Sequence, residues 1–325
     1  MTKVCVAGHG FMGGVHAGIY HGLGNADLAA VVDFQDGVRE QAAAKYGCAT
    51  HATIDAVLDD DSLELVDICL PTPIHREFVV KCLEAGKNVL CEKPLSLSMD
   101  DAEAILEAAE KAPGKFMVAH VIRFWPEYVV TKQLLDSGDL GAPLAANAAR
   151  FVPAPDWSWD DWLLDPERSG GAVIDNHIHD LDYLNWIFGK PETIYARGLW
   201  SEQGGLDHVF TTLEYPDGKV AIAESGFFVP AGMGLVMTLK LQCEEGCVML
   251  SNIADPTLTV YRPNREPEHP DVPKDDGYVA EIKYFLDCVA NDKTPAILTP
   301  EDARLALATS RAALDSAKAK SEERL

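Results

Sequence analysis

The chain has 325 residues, 47% of them apolar, and a formal net charge of −24. That length suits two domains with a sizeable core. The acidic balance argues against nucleic acid and anionic membrane surfaces as partners, because both attract basic patches. No apolar run reaches the roughly 18–20 residues that span a bilayer.

Met1-Thr2-Lys3 runs directly into an apolar stretch, without the charged, apolar and cleavable regions of a secretory signal. A cytoplasmic protein is therefore expected. The eight cysteines are scattered, and Cys5, Cys69 and Cys91 fall in runs that read as buried strands. Free thiols acting as small apolar residues are expected. Cys243 and Cys247 lie four apart around a turn, but no second ligand pair accompanies them, so no metal is expected there.

The first expected strand covers residues 3–7. Gly8-His9-Gly10-Phe11-Met12-Gly13 follows and opens a helical pattern over 10–23. The G-x-G-x-x-G spacing alone is weak. Here it joins a strand to a helix, and Asp33 closes the next strand, 28–33, twenty residues beyond Gly13. That context is the dinucleotide fingerprint. Gly8 permits the tight turn, Gly10 lets a pyrophosphate approach the backbone, and Gly13 lets the helix pack on the sheet. Phe11 and Met12 belong to the same cofactor-binding turn. The helix N-terminus offers N–H groups and a positive dipole end, which must hold an anionic cofactor against the net charge. Asp33 can accept hydrogen bonds from ribose hydroxyls and would repel a 2′-phosphate, with no Arg or Lys before Arg39. NAD is expected ahead of NADP.

A helix over 36–45, a weak strand near 48–50 and a strand over 65–70 come next. Leu70-Pro71-Thr72 then leaves the carboxyl end of that strand and leads into a helix over 74–85. Leu70, Pro71 and Thr72 are expected to line the nicotinamide ribose. His75 either faces the cofactor or starts the helix. Asn88-Val89-Leu90-Cys91 reads as a buried parallel strand, and it ends in Glu92-Lys93-Pro94. A lysine there points into the crevice where open α/β sheets bind ligands. It can hold a substrate hydroxyl beside the cofactor or act on a proton. Glu92 and Lys93 are both placed against the cofactor. The proline biases Lys93 away from helix, and the Lys93–Pro94 bond is a candidate for the cis form. A helix over 99–111 and a strand over 116–119 complete a βαβ rhythm. That rhythm implies a parallel, doubly wound sheet.

After residue 121 the rhythm changes. Arg123-Phe124-Trp125-Pro126 opens a helix, and Trp157, Trp159 and Trp162 crowd a segment before Gly170-Gly171. Aromatic faces near a polar site stack on sugar rings, which makes Trp157 and Trp162, with Arg123, candidates for substrate contact. Tryptophans also fill cores. A helix over 171–188 would put Asp175, His179 and Asp182 on one face, at i, i+4 and i+7. A carboxylate one turn from an imidazole orients it and stabilises its protonated form, as a general base requires. His177 points elsewhere. His177 and His179 among three aspartates also resemble a metal cluster, but no third His or Cys ligand is evident, so no metal is expected. Strands then read at 193–200, 208–215, 220–228, 235–242 and 247–250. Tyr215-Pro216-Asp217-Gly218 is a hairpin turn between two of them. This half is α+β with a mostly antiparallel sheet. Residues 262–276 read as an exposed loop, and two helices close the chain, the second starting at Thr299-Pro300.

The chain resembles the Gfo/Idh/MocA oxidoreductases, relatives of glucose–fructose oxidoreductase and inositol dehydrogenase. The resemblance rests on Gly8-x-Gly10-x-Met12-Gly13, on Cys91-Glu92-Lys93-Pro94, and on Gly170-Gly171 leading to Asp175-x-x-x-His179-x-x-Asp182. It covers essentially the whole chain. It implies an α/β fold: a Rossmann domain over 1–121, then a substrate-binding and oligomerisation domain over 122–325 with a large open sheet. One face of that sheet usually lies in a homodimer or homotetramer interface. Lys93 corresponds to the lysine of the family's E-K-P motif, and Asp175 and His179 to its D-x-x-x-H positions. Many members have glycine where this chain has His177, which puts an extra imidazole near the substrate or marks a subgroup.

These readings converge on a dehydrogenase that oxidises a secondary alcohol of a sugar, inositol or related polyol. His179 is the expected base, Asp175 its partner, and Lys93 the hydroxyl-positioning group. The alternatives are an NAD-dependent glycoside hydrolase or lyase that uses transient oxidation, and a non-catalytic dinucleotide-binding regulator.

Overall fold

The computed structural model describes residues 1–325, in two compact units. The first comprises Met1–His120 with Tyr278–Arg304, the second Val121–Gly277 with Leu305–Leu325. The C-terminal helices thus divide between the two units.

The first unit holds six strands: β1 (Thr2–Ala7), β2 (Ala26–Val32), β3 (Ala49–His51), β4 (Leu65–Ile68), β5 (Asn88–Glu92) and β6 (Phe116–Ala119). They form one parallel sheet in the order β3-β2-β1-β4-β5-β6. Helices α1 (Phe11–Gly22), α2 (Asp36–Tyr46), α3 (Asp55–Leu58), α4 (His75–Glu84) and α5 (Met99–Lys111) connect them. Central parallel strands are covered on both faces and so read as continuous apolar runs. Val4 to Ala7 and Val89 to Cys91 are wholly buried accordingly. Asp67, wholly buried inside β4, breaks the pattern. The strand order reverses between β1 and β4, and ligands of doubly wound sheets bind outside the carboxyl ends at that switch. Gly8–Gly10 and Cys69–Thr72 are the loops that leave those two strand ends.

The second unit is built on an eight-stranded sheet. Its strands are β7 (Pro143–Phe151), β8 (Thr193–Trp200), β9 (Leu206–Glu214), β10 (Val220–Gly226), β11 (Val236–Cys243), β12 (Cys247–Ser251), β13 (Leu258–Tyr261) and β14 (Glu323–Arg324). The order is β13-β12-β11-β7-β10-β9-β8-β14, antiparallel except where β7 meets β10. Helices α6 (Pro126–Asp136), α7 (Pro166–Ser169), α8 (Ala172–Asp175) and α9 (Ile178–Phe188) precede β8. Helices α10 (Gly277–Ala290) and α11 (Pro300–Ala319) follow β13. The sequence does not mark β7 as a strand, because it is alanine-rich and alanine favours helix. Pairing on both edges overrides that preference. Its small inward residues, Ala146 and Ala148, lie in the sheet region where α9 packs.

The sheet alternates as a half-covered sheet should. Val209, Thr211 and Leu213 of β9 and Ala221 and Ala223 of β10 are buried, on the face that receives α8 and α9. The register puts Tyr195, Ile222 and Met249 in one row on the other face, with Phe210 one pair along, and all four are exposed.

Candidate active site

The glycine turn after β1 is closed by the protein on two sides and open on the third. Gly8 has φ +87°, and a Cβ there would come 2.5 Å from the Cys69 carbonyl oxygen. A Cβ on Gly13 would lie 1.9 Å from the Gly8 carbonyl oxygen. A Cβ on Gly10 would meet nothing within 4 Å. Gly10 stands at the N-cap of α1 and provides no side-chain cap, so the first-turn amides have no acceptor from it. Phe11 beside it is exposed. This is the geometry that receives an anion at a helix start.

Asp33 follows β2, its carboxylate held by the amides of His9 (3.0 Å) and Gln35 (2.9 Å). Arg39 donates to the Asp33 carbonyl oxygen at 2.7 Å and pairs with Asp36, so this guanidinium is already engaged. The residues present fit a dinucleotide: an open glycine at a helix start, with a fixed carboxylate one strand away.

The loop after β4 is tied to the turn after β5. His75, in the first turn of α4, is wholly buried, with Nδ1 2.9 Å from the Pro94 carbonyl oxygen and Nε2 2.8 Å from that of Leu70. Burial pushes its pKa down, and the two carbonyls oppose that shift. His75 links the two loops expected to line a cofactor. Thr72 is buried, while Leu70 and Pro71 are partly exposed. The Lys93–Pro94 bond is cis. Lys93 is partly exposed, and its N–H donates to Glu92 Oε2 at 3.1 Å.

In the second unit the helix expected over 171–188 is broken. α8 ends at Asp175, and α9 begins at Ile178. The His177 N–H donates to the Ala172 carbonyl, five residues back rather than four. Asp175 and His179 are thus not one regular turn apart. Polar neighbours are consumed by buried pairs. Arg123 grips Asp182 through two bonds of 2.8 and 2.7 Å. Arg150 of β7 grips Asp180 at 2.8 and 3.2 Å. Asn176 Nδ2 donates to Ser225 Oγ at 2.8 Å, and His177 Nε2 lies 2.9 Å from Thr211 Oγ1. Across 172–185 only Asp175 and His179 retain exposure.

Two candidates for substrate contact are buried. Arg123 is 2% exposed and lies over the Trp186 ring at 5.0 Å. His177 is wholly buried, and burial, with the Arg150 charge adding to it, pushes its pKa down to about 3. Arg123 is held by Asp182 and His177 by Thr211. Trp157 is exposed and Trp162 half-buried. Sequence reading missed the polar cluster beneath the glycine turn, where His16 of α1 meets Asp67 and Glu92. The available signals were a charged residue inside the apolar run of β4 and a histidine one turn past Gly13.

Sheet order, glycine turn and carboxylate define a dinucleotide-binding protein. Residues 2–120 match a family profile described as an oxidoreductase family with an NAD-binding Rossmann fold, and residues 128–249 match a GFO/IDH/MocA C-terminal domain. The chain belongs to the Gfo/Idh/MocA family of NAD-binding oxidoreductases. It is 27% identical to scyllo-inositol 2-dehydrogenase (NAD(+)) of Bacillus subtilis, over 97% of this chain and 94% of that protein. It is 30% identical to D-xylose 1-dehydrogenase (NADP(+)) 2 of Haloferax volcanii, over 83% of each. Among solved structures, GenD2 from gentamicin A biosynthesis, in complex with NAD, superposes with a TM-score of 0.88 at 26% identity, covering 100% of this chain and 96% of that one.

Proposed function

We propose that the protein oxidises a secondary alcohol of a sugar, an inositol or a related polyol, with NAD ahead of NADP as hydride acceptor. The observation that carries this reading is the selective exposure of Asp175 and His179 among otherwise buried neighbours. A base must reach its substrate, and within residues 172–185 these two side chains are the ones that reach the surface.

Bound NAD supplies the hydride acceptor, so the substrate loses one C–H bond and its hydroxyl proton leaves separately. His179 takes that proton, and Asp175 stabilises the resulting imidazolium. Lys93 donates a hydrogen bond to the same oxygen, and its charge favours the developing alkoxide. Gly8, Gly10, Gly13 and the first turn of α1 hold the pyrophosphate. Asp33 takes the adenosine ribose hydroxyls and disfavours a 2′-phosphate, since the Arg39 guanidinium is committed to Asp36 and the Asp33 carbonyl. The partner at the open sheet face is a second copy of the chain, in a dimer or tetramer.

The test is a panel of inositols, aldoses and sugar acids with NAD and NADP, read by NADH or NADPH absorbance. Net reduced cofactor is expected from a dehydrogenase, whereas transient oxidation in a hydrolase or lyase leaves none. Lys93→Ala should lower turnover on the best substrate by about 10²–10⁴-fold while leaving NAD binding within about twofold. Near-normal turnover by that variant would overturn the assignment of Lys93.

A further inference from the structure

The first unit contains a buried charge cluster that the proposed reaction does not use directly. His16 lies on α1 and is wholly buried. Its Nδ1 is 2.8 Å from Asp67 Oδ2, and its Nε2 forms an ion pair with Glu92 Oε1 at 3.3 Å. Nδ1 is hydrogen-bonded to Asp67, whereas Nε2 stands at ion-pair distance from Glu92 without hydrogen-bond geometry. Burial works most strongly against a charge on His16, but Asp67 and Cys69 together hold the His16 pKa well above its ordinary value. Cys69 Sγ lies 3.5 Å from the same Nδ1. His16, Asp67 and Cys69 present their ligand atoms within 4.8 Å of one another.

Glu92 uses its two oxygens differently. Oε1 faces His16, while Oε2 accepts the Lys93 N–H at 3.1 Å. A nearly buried carboxylate without a counter-charge tends to protonate or turn away. His16 supplies that counter-charge. Glu281 of α10 is wholly buried beside the cluster, with neither oxygen hydrogen-bonded. Its own burial first, and then Glu92, push its pKa well up. Beyond the lysine, His75 holds the Pro94 carbonyl at 2.9 Å. The backbone that carries Lys93 is thus gripped on both sides.

We propose that His16, acting through Glu92, is a positioning residue for Lys93, tying that lysine to the helix that opens the dinucleotide fingerprint. The functional half of this inference rests on the assignment of Lys93 above; the mechanical half does not. A lysine side chain has a long flexible stem, so its reach is set first by its backbone. A displacement of about 1 Å at a reacting group can cost roughly 10²-fold in rate. The contact is therefore expected to act on kcat rather than on cofactor affinity.

The experiment compares Glu92→Gln, Glu92→Ala, His16→Gln and the His16→Gln/Glu92→Gln double variant in the full-length protein. Hydrogen exchange of the peptide spanning residues 88–97 reads the clamp without any substrate. Exchange at Lys93 should quicken at least about tenfold in Glu92→Ala, with partial recovery in Glu92→Gln, which keeps an acceptor. On the best substrate of the panel, kcat should fall at least about tenfold in Glu92→Ala and in His16→Gln, while the NAD dissociation constant of His16→Gln moves less than about twofold. The double variant should be no worse than the weaker single, because the two residues act as one chain. The inference is overturned if folded Glu92→Ala keeps wild-type exchange and kcat, or if the two substitutions are additive. If His16→Gln does not fold, the two Glu92 variants decide. If no polyol is turned over by the wild type, the proposed function fails, and the exchange data still decide the clamp.

Discussion

At the residue scale, burial sorts polar groups that look equivalent in sequence. His177 and His179 are two positions apart, yet one is sealed against Thr211 and the other is partly exposed. The sealed one implies a pH dependence. His177 is held neutral with a pKa of about 3, below the ordinary histidine value. Between those values the unfolded chain binds a proton that the folded chain refuses. Stability is therefore lost as pH falls below the ordinary value. His177→Gln removes that linkage. Its stability relative to wild type should improve by about 2 kcal/mol between pH 7 and pH 5, measured by urea unfolding at each pH. An unchanged difference would mean that His177 is already protonated or accessible in the native state. Lys93, Asp175 and His179 stand out from residue type and spacing, because their chemistry is local. The burial of Arg123 and His177 does not, because it depends on Asp182 and Thr211 far along the chain.

At the element scale, the informative feature is the start of α8. Gly171 has φ +70° and ψ −176°, a region that residues with a Cβ rarely enter. A Cβ there would also lie 3.0 Å from Asp207 Oδ1, the group that accepts the Ala172 N–H at 3.1 Å. Gly171→Ala should therefore destabilise the protein by about 1–3 kcal/mol, seen as a lower denaturation midpoint with an unchanged slope. A neutral effect would mean that the turn can relax without strain. The Gly170-Gly171 pair is legible in sequence as a turn, but the break between α8 and α9 is not. Helical periodicity runs through Asn176 and His177, and only their bonds to Ser225 and Thr211 explain why the segment bends there. The alanines of β7 are the converse: a helical composition becomes a strand because β10 and β11 pair with both its edges.

At the scale of the whole molecule, the open face of the eight-stranded sheet is the surface proposed above to meet a second copy of the chain. Tyr195, Phe210, Ile222 and Met249 present an apolar band there, with Arg197, Glu224 and Lys240 in the same cross-strand rows. Apolar and charged groups mixed on one face suit a self-complementary contact. Phe210→Glu with Ile222→Lys should convert the assembly to monomers in size-exclusion chromatography with light scattering. A monomeric wild type, or an unchanged mass for the double variant, would remove this face as the interface.

The sequence by itself determined the parallel sheet, the glycine turn, Asp33 and the lysine after β5. Each depends on periodicity, backbone freedom or charge within a few dozen residues. Tertiary structure decided which polar groups are structural and which remain accessible. It alone brought His16, Asp67 and Glu92 together, because they lie on three elements that only the β1-β4-β5 strand order makes neighbours. Burial and electrostatic pairing depend on distance in space, and one chain read in order does not contain that distance.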